Sequence, residues 1–277
     1  MKKFQLAISK QQWMIGILVS LIVIVAILWV SFSGKSANRV IQGVEISLVP
    51  DKNPLLITKK IIYDSIVSVV GNPTGINASA LNISLLESKL KQIPTLRKAE
   101  VYLRLDGILK IQAVERSPIA LIKNLQGEEF YIDTQGVMVP NKNFRFCDVL
   151  IVNGNISNKM NGGRIMGGEM AKNILALAKI VASDSLWNAQ FQQCYVDNYN
   201  AMILIPRIGK HSIVVGNGSE LGKKFENLRL FYSQGLKGMG WNRYKTIDIS
   251  NITQVLGIRF GQQSIHIIEK KSKKSNT

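Results

Sequence analysis

An apolar run without a polar face lies near the start of the chain. Residues 13–30 contain no charged side chain, and only Gly16 and Ser20 interrupt the larger apolar positions. Extended to Phe32, the run would span about 30 Å as a helix, which matches the hydrocarbon core of a bilayer. Because a helix packed in a globular core normally keeps one polar face, we expect residues 13–32 to form a single transmembrane helix.

The residues before this run predict its orientation. Lys2, Lys3 and Lys10 precede it without any acidic residue, and positively charged flanks stay on the cytoplasmic side. We therefore expect residues 1–12 to be a cytoplasmic tail and residues 33–39 a linker to an exported part, in the periplasm or outside the cell. A cleaved signal peptide is the alternative, but its apolar region is shorter, about 7–15 residues.

Residues 40–117 show the pattern of a small module with the order strand, helix, helix, strand, strand. Apolar alternation predicts the first strand, and two amphipathic helices follow, one capped by Thr58 and one by Ser84 in a capping box. Two alternating runs then flank Asp106-Gly107, which is a signal for a type I′ hairpin turn. A mixed sheet with both helices on one face would bury these apolar positions.

Residues 118–262 consist of short β runs separated by two predicted helices, over 169–182 and 221–234. The predicted strands are 119–122, 130–132, 137–139, 149–152, 192–196, 201–206, 211–215, 244–249 and 254–260. We expect a second, mostly antiparallel α+β domain, followed by a solvated basic tail over 263–277. The chain as a whole is thus predicted to be α+β with one N-terminal transmembrane helix.

Composition and charge narrow the classes of protein. The chain has 277 residues, of which 46% are hydrophobic and 19% charged, and this excludes a disordered or collagenous chain. The 35 Lys and Arg against 18 Asp and Glu give a net charge of +17, which favours an anionic neighbour. Outside the cytoplasm that neighbour would be the lipid head groups. Aromatic residues do not interleave with basic ones as in RNA-binding modules, so we expect no nucleic acid partner.

No sequence motif assembles a catalytic, cofactor or metal site. The nucleophile-elbow and zinc-protease motifs are missing. Two cysteines, Cys147 and Cys194, and two histidines, His211 and His266, are too few and too widely spaced for a structural zinc. A single disulfide stays an open alternative in an oxidising compartment.

A glycine-rich stretch and two acidic residues are the remaining candidates for a functional site. Residues 162–168 resemble a phosphate-binding loop, but Glu169 stands where that loop requires lysine, so we expect a mobile loop. Glu115 and Asp133 are acids that nothing in the sequence pairs for acid–base work. We therefore expect no enzyme activity, no cofactor and no small-molecule substrate.

Three stretches of the chain carry a family resemblance. They are Leu90 to Ala120 with its Glu115-Arg116-Ser-Pro118 segment, Tyr131-Ile132-Asp133 with Gly136, and Tyr244 to Ile249 followed by Gln254-Val255-Leu256. The first resembles the POTRA module, and the other two the β domain, of the bacterial cell-division family FtsQ/DivIB. Ser250 departs from the pattern, because the family often has arginine there.

The resemblance implies a non-catalytic scaffold of the divisome. It assigns residues 40–117 to a POTRA domain and residues 118–262 to a β domain. Such a scaffold would bind FtsB- and FtsL-like bitopic proteins and link them to the septal peptidoglycan synthase, at the division septum of the bacterial cytoplasmic (inner) membrane.

The last predicted strand is the expected partner-binding site. A strand at a sheet edge leaves backbone N–H and C=O groups unpaired, and a strand of another chain can add to them. The residues expected to contact that partner are Thr253, Gln254, Val255, Leu256, Gly257 and Ile258.

Two other classes of protein are alternatives. Another POTRA-bearing envelope assembly or transport component would need tandem POTRA repeats or a long series of barrel strands. A membrane-anchored cell-wall hydrolase would need a nucleophile or a metal constellation. The sequence contains neither feature.

Overall fold

The computed structural model describes residues 10–37, 39–49, 57–141, 147–236 and 241–261. It is a mixed α+β protein with one three-stranded and one nine-stranded sheet. The chain divides into two compact units, with the change from the first to the second after Val114 and with Ile93–Thr95 also belonging to the second. The domain ranges 40–117 and 118–262 stay predictions.

The first element is α1, Lys10–Ala37, a helix of 28 residues. Its described side chains, at residues 13–14 and 16–29, are exposed and include no charged group. Within the described part of the chain, no helix meets the length and apolar character that crossing a membrane requires. The transmembrane helix predicted over residues 13–32 is therefore not confirmed.

The first unit has the predicted order strand, helix, helix, strand, strand. Its elements are β1 Gly43–Val49, α2 Lys59–Val70, a 3-10 turn Ala78–Ala80, α3 Ile83–Lys91, β2 Leu96–Leu103 and β3 Ile108–Glu115. The strand order is β1-β3-β2, and β1 runs parallel to β3. Alternate residues of β3, Leu109, Ile111 and Ala113, are completely buried, as expected for a strand with one face against the core.

The second helix of this unit begins differently from the prediction. Asn82, not Ser84, is the N-cap of α3, and its side chain accepts a hydrogen bond of 2.9 Å from the backbone N–H of Leu85. The predicted capping box at Ser84 is thus wrong. Glu87 instead accepts a hydrogen bond of 2.9 Å from the backbone N–H of Val101 in β2, so its carboxylate is used between elements.

The hairpin turn between β2 and β3 also differs in type. A type I′ turn needs positive φ at both central residues, but here only Gly107 has one, at 82°. The side chain of Asp106 accepts the N–H of Ile108 at 3.2 Å, and the N–H of Gly107 bonds to Arg104 O at 3.1 Å. Since Asp106 makes a local Asx turn with negative φ, the predicted type I′ turn is wrong although the hairpin itself forms.

The second unit contains nine strands and three helices among the described residues. They are β4 Pro118–Lys123, β5 Glu129–Asp133, β6 Met138–Pro140, β7 Leu150–Gly154, α4 Glu169–Ser183, α5 Ser185–Gln190, β8 Phe191–Val196, β9 Met202–Pro206, β10 Ser212–Gly216, α6 Leu221–Leu230, β11 Tyr244–Asp248 and β12 Leu256–Arg259. A single π-helical stretch, Phe231–Leu236, extends α6. The sequence predicted all of these elements except α5.

The nine-stranded sheet has the order β12-β11-β10-β9-β8-β7-β4-β5-β6. Most neighbours are antiparallel, but β4 with β7, β7 with β8, and β10 with β11 are parallel. The three helices pack on one face around a core centred on Trp187, which stacks on Phe191 with a centroid distance of 5.4 Å. This core fixes the sheet and presents β6 and β12 as its two edges.

The glycine-rich stretch covers the β6 edge. The N–H of Met138 donates to Arg164 O at 2.8 Å, the N–H of Gly163 donates back to Met138 O at 2.8 Å, and the N–H of Met166 donates to Gly136 O at 2.9 Å. We call residues 163–166 the edge strap. The expected loop is present, and its residues 163–166 bond their backbone to the sheet. Its mobility stays a prediction.

Candidate partner-binding edge of the large sheet

The candidate site lies at β12, the edge strand of the nine-stranded sheet. β12 pairs antiparallel with β11, where Gly257 faces Ile247 and Ile258 faces Thr246. No other described strand lies on the outer side of β12. Its outward backbone groups are therefore available for pairing within the described part of the molecule.

The structure divides the predicted site residues into two groups. Leu256, Gly257 and Ile258 lie in the strand, whereas 253–255 precede it and adopt no strand structure. The predicted strand from 254 to 260 is therefore too long. An Asx turn explains the difference, because the side chain of Asn251 accepts both the N–H and the hydroxyl of Thr253, at 2.9 and 2.8 Å.

The loop before β12 is held against α6. The side-chain amide of Asn227 donates to Ile252 O at 2.9 Å, and the N–H of Ile249 donates to Val214 O at 2.9 Å. Val255 packs against the main core. These contacts fix the position at which the edge strand begins.

An open groove lies beside the start of the strand, between α6 with its π-helical extension and the loop. Its volume is about 440 Å³. The lining residues are Asn227, Leu230, Phe231, Gln234, Thr253, Gln254 and Val255. The two groups of predicted residues thus contribute to two adjoining surfaces, a strand edge and a groove.

The side chains of β12 point to opposite faces. Leu256 is 54% exposed and Ile258 is half-buried, on the face that the helices do not cover. Gly257 lies over Tyr244, and a Cβ at this position would be 2.5 Å from the Tyr244 ring. The lack of a side chain at Gly257 therefore leaves space for the ring of Tyr244, and Gly257 has no side chain that could contact a partner.

A buried cation, Lys224, supports the end of β10, which lies one strand further into the sheet than β11. Lys224 of α6 is 1% exposed, and its Nζ donates to Val215 O at 3.0 Å, Asn217 O at 3.1 Å and Asn217 Oδ1 at 3.2 Å. Burial lowers the pKa of Lys224, and the charge of Asp248 partly opposes this shift. All three of its donors are used internally, so we assign Lys224 a structural role.

The remaining sequence candidates lie elsewhere. His211 is buried beside Tyr232, with 3.1 Å between His211 Nε2 and the Tyr232 hydroxyl, and His266 lies outside the described residues. Both cysteines are free thiols, and burial raises the pKa of Cys194 to about 12. Among the described residues, no cluster of potential ligands could hold a metal ion.

Sequence reasoning missed one partly buried ion pair. Arg116 Nη1 lies 2.6 Å from Asp133 Oδ2, and Arg116 Nε donates to Pro94 O at 3.1 Å. The same carboxylate group accepts the N–H groups of Gln135 and Val137 through Oδ1, at 2.8 and 2.9 Å. Asp133 is therefore a structural acceptor in a turn, and its partner 17 residues away had no local signal.

The comparisons with known proteins concern the second unit. Residues 117–257, about half of the chain, match the protein family described as FtsQ/DivIB, C-terminal related. No curated protein matches the chain. The matched range begins just before β4 and ends inside β12.

Proposed function

Because the chain belongs to the FtsQ/DivIB C-terminal related family, we propose that it is a non-catalytic scaffold of the bacterial divisome. The family assignment, which the resemblance predicted, supports a role in cell division. The proposed activity is to hold other division proteins together by binding them, partly through strand addition at β12.

The observation that carries this proposal is the difference between the two edges of the large sheet. The edge strap bonds to Met138 of β6 and occupies that edge. At β12, by contrast, no described segment pairs with the outer side. Exposed edges are normally blocked in monomeric proteins, so an edge left open beside a groove is a candidate for a partner's strand.

The chemistry of such binding divides between backbone and side chains. Backbone hydrogen bonds to β12 would supply affinity for an extended segment. Leu256 and Ile258 would select the partner on the uncovered face, and Thr253, Gln254 and Val255 would do so through the groove. Gly257 would contribute through its backbone alone.

The proposal also includes roles for the other parts of the chain. Residues 13–32 would anchor the protein in the cytoplasmic membrane, with residues 1–12 in the cytoplasm, since the run of uncharged residues is long enough for a bilayer. Residues 40–117 would be the POTRA domain, which the order strand, helix, helix, strand, strand supports. Residues 118–262 would be the β domain.

The proposed partners are FtsB- and FtsL-like bitopic proteins and, through them, the septal peptidoglycan synthase. The proposed location is the division septum. A fluorescent fusion that concentrates at mid-cell would agree with this assignment, and a uniform envelope signal would contradict it.

Strand addition is tested with Leu256→Pro, which removes a backbone donor from β12 and cannot pair as a strand residue in a ladder. We expect the folded variant to retain less than about a tenth of the FtsB-like protein that the wild type retains when the two are co-expressed and co-purified. Thermal unfolding of both proteins checks that the fold persists.

A second pair of variants keeps the backbone intact. Leu256→Glu changes an exposed side chain of the edge strand, and Ile205→Glu changes a side chain of similar exposure in the interior strand β9. We expect Leu256→Glu to weaken co-purification and Ile205→Glu to leave it unchanged. Retention at the wild-type level by both Leu256 variants would contradict strand addition at β12.

A further inference from the structure

The first unit also presents a strand at a sheet edge. Within the described residues, β1 pairs only with β3, and its other side faces no strand. In this register Val44 lies beside Leu109, Ile46 beside Ile111 and Leu48 beside Ala113. These residues of β1 thus lie on the same face as the buried side chains of β3.

The apolar residues of β1 are less buried than the β3 residues beside them. The β3 residues are fully buried, whereas Val44, Ile46 and Leu48 are only half-buried. The apolar face of β1 is therefore incompletely covered, and an additional strand would remove more of it from water.

A groove follows this side of β1. It has a volume of about 440 Å³ and lies between the strand and the first turns of α2, which contribute Lys59, Lys60 and Tyr63. Val44 and Ile46 form the apolar wall of the groove. The groove could thus receive alternate side chains of an extended segment that pairs with β1.

The charges at the groove favour an acidic occupant. Glu45, the acid that lines it, is already paired with Arg104 and Lys110, at 3.0 Å each, and the contact with Lys110 is the main reason that its pKa is lowered. Lys59 and Lys60 form no ion pair with any described residue. Since α2 also has no acid in its first turn, no carboxylate of the described residues pairs with these two ammonium groups.

The described residues of the opposite edge of the same sheet are more completely covered. In β2, the inward residues Ala99 and Val101 are 1% and 4% exposed. The outward N–H of Val101 is already bonded to the carboxylate of Glu87 at 2.9 Å. Of the two edges of the small sheet, β1 is therefore the one with room for a partner.

We infer that β1 is a second strand-docking edge, which binds an extended partner segment with alternating apolar residues and an acidic end near Lys59 and Lys60. This inference deepens the POTRA docking within the proposed function, but it does not depend on strand addition at β12. The first unit would thus bind one partner segment at β1, and the second unit would bind another at β12.

The test uses the full chain in detergent and a fluorescent synthetic peptide with three Val-Thr repeats followed by Asp-Glu. Fluorescence anisotropy measures its affinity, and amide hydrogen exchange locates the bound peptide. We expect slower exchange in residues 43–49, and about tenfold weaker binding to the double variant Lys59→Glu, Lys60→Glu. A peptide ending in Lys-Lys should show the reverse preference.

The control is the double variant Lys89→Glu, Arg97→Glu, which makes the same change in charge at exposed sites of the first unit away from the groove. It should bind the acidic peptide as the wild type does. Slower exchange in 43–49 should also persist in Leu256→Pro, which separates this inference from the β12 proposal. Protection at 256–259 instead, no protection at 43–49, or equal weakening by both double variants would overturn the inference.

Discussion

His211 is an imidazole buried among aromatic rings in the second unit. Its ring lies 6.0 Å from that of Tyr232 in an edge-on arrangement and 6.3 Å from that of Trp241 in a stacked one. Burial lowers the pKa of His211 below its usual value. The folded protein therefore binds a proton at this site less readily than the unfolded chain does.

This difference gives a pH-dependent stability. Below about pH 6.5 the histidine of the unfolded chain takes up a proton while His211 in the fold stays neutral, so the free energy of unfolding should decrease as the pH falls. One group contributes a slope of at most about 1.4 kcal/mol per pH unit. Urea unfolding of the wild type and of His211→Gln between about pH 7.5 and about pH 5.5 measures how the free energy of unfolding changes with pH. An identical pH dependence in the two proteins would contradict this role of His211.

At the scale of elements, the start of α3 shows how one side chain sets a boundary. The side chain of Asn82 bonds to the N–H of Leu85, whereas Ser84 lies within the helix and is exposed. The cap satisfies a backbone donor that would otherwise have no partner in the first turn.

The two residues therefore make a matched pair of variants. Asn82→Ala should lower the free energy of unfolding of the first unit by about 1 kcal/mol, and Ser84→Ala should change it by less than about 0.5 kcal/mol. Denaturant unfolding followed by hydrogen exchange in residues 83–91 measures both. A larger effect from Ser84→Ala would restore the capping box that the sequence predicted.

Hydrophobic periodicity predicted most elements but not how they pair. Alternating and helical patterns located twelve strands and the longer helices, because one face of each is buried. α5 escaped because its six residues are too few to show a period, although Asp184 caps it by accepting the N–H groups of Leu186 and Trp187. The four parallel pairings, one in the small sheet and three in the large sheet, depend on contacts between distant segments and have no local signal.

The candidate site was predictable in position but not in detail. The alternation of apolar and polar residues predicted a strand near the end of the described chain, and that strand lies at the edge of the large sheet. The sequence could not show that 253–255 line a groove or that Gly257 admits the Tyr244 ring. Both facts depend on packing against α6 and β11, which come from other parts of the chain.

At the scale of the whole molecule, the edges of the two sheets fall into two kinds. The edge strap occupies the outer side of β6, and Glu87 bonds to the outward N–H of Val101 in β2. β12 and β1 have no such cover among the described residues. Among the described residues, each sheet thus has one edge with outward backbone groups already bonded and one edge without such bonds.

This asymmetry predicts a pattern of hydrogen exchange in the protein without partners. The amides of Gly163 and Met166, which are bonded to the sheet, should exchange more slowly than the outward amides of 256–259, with 244–248 in the adjacent interior strand as the internal reference. Adding an FtsB-like partner should slow exchange in 256–259 and leave 163–166 unchanged. Slow exchange throughout 256–259 before any partner is added would show that this edge is already covered.

The order of strands in the large sheet has a consequence for biosynthesis. From β8 to β12 each strand lies next to the one that precedes it in the chain, and a polypeptide emerges from the ribosome N-terminus first. Each newly made strand therefore finds its neighbour already in place, and the sheet widens in one direction. β12 is the last strand of this sheet to be synthesised, so the partner binding proposed at this edge would require translation to have passed Arg259.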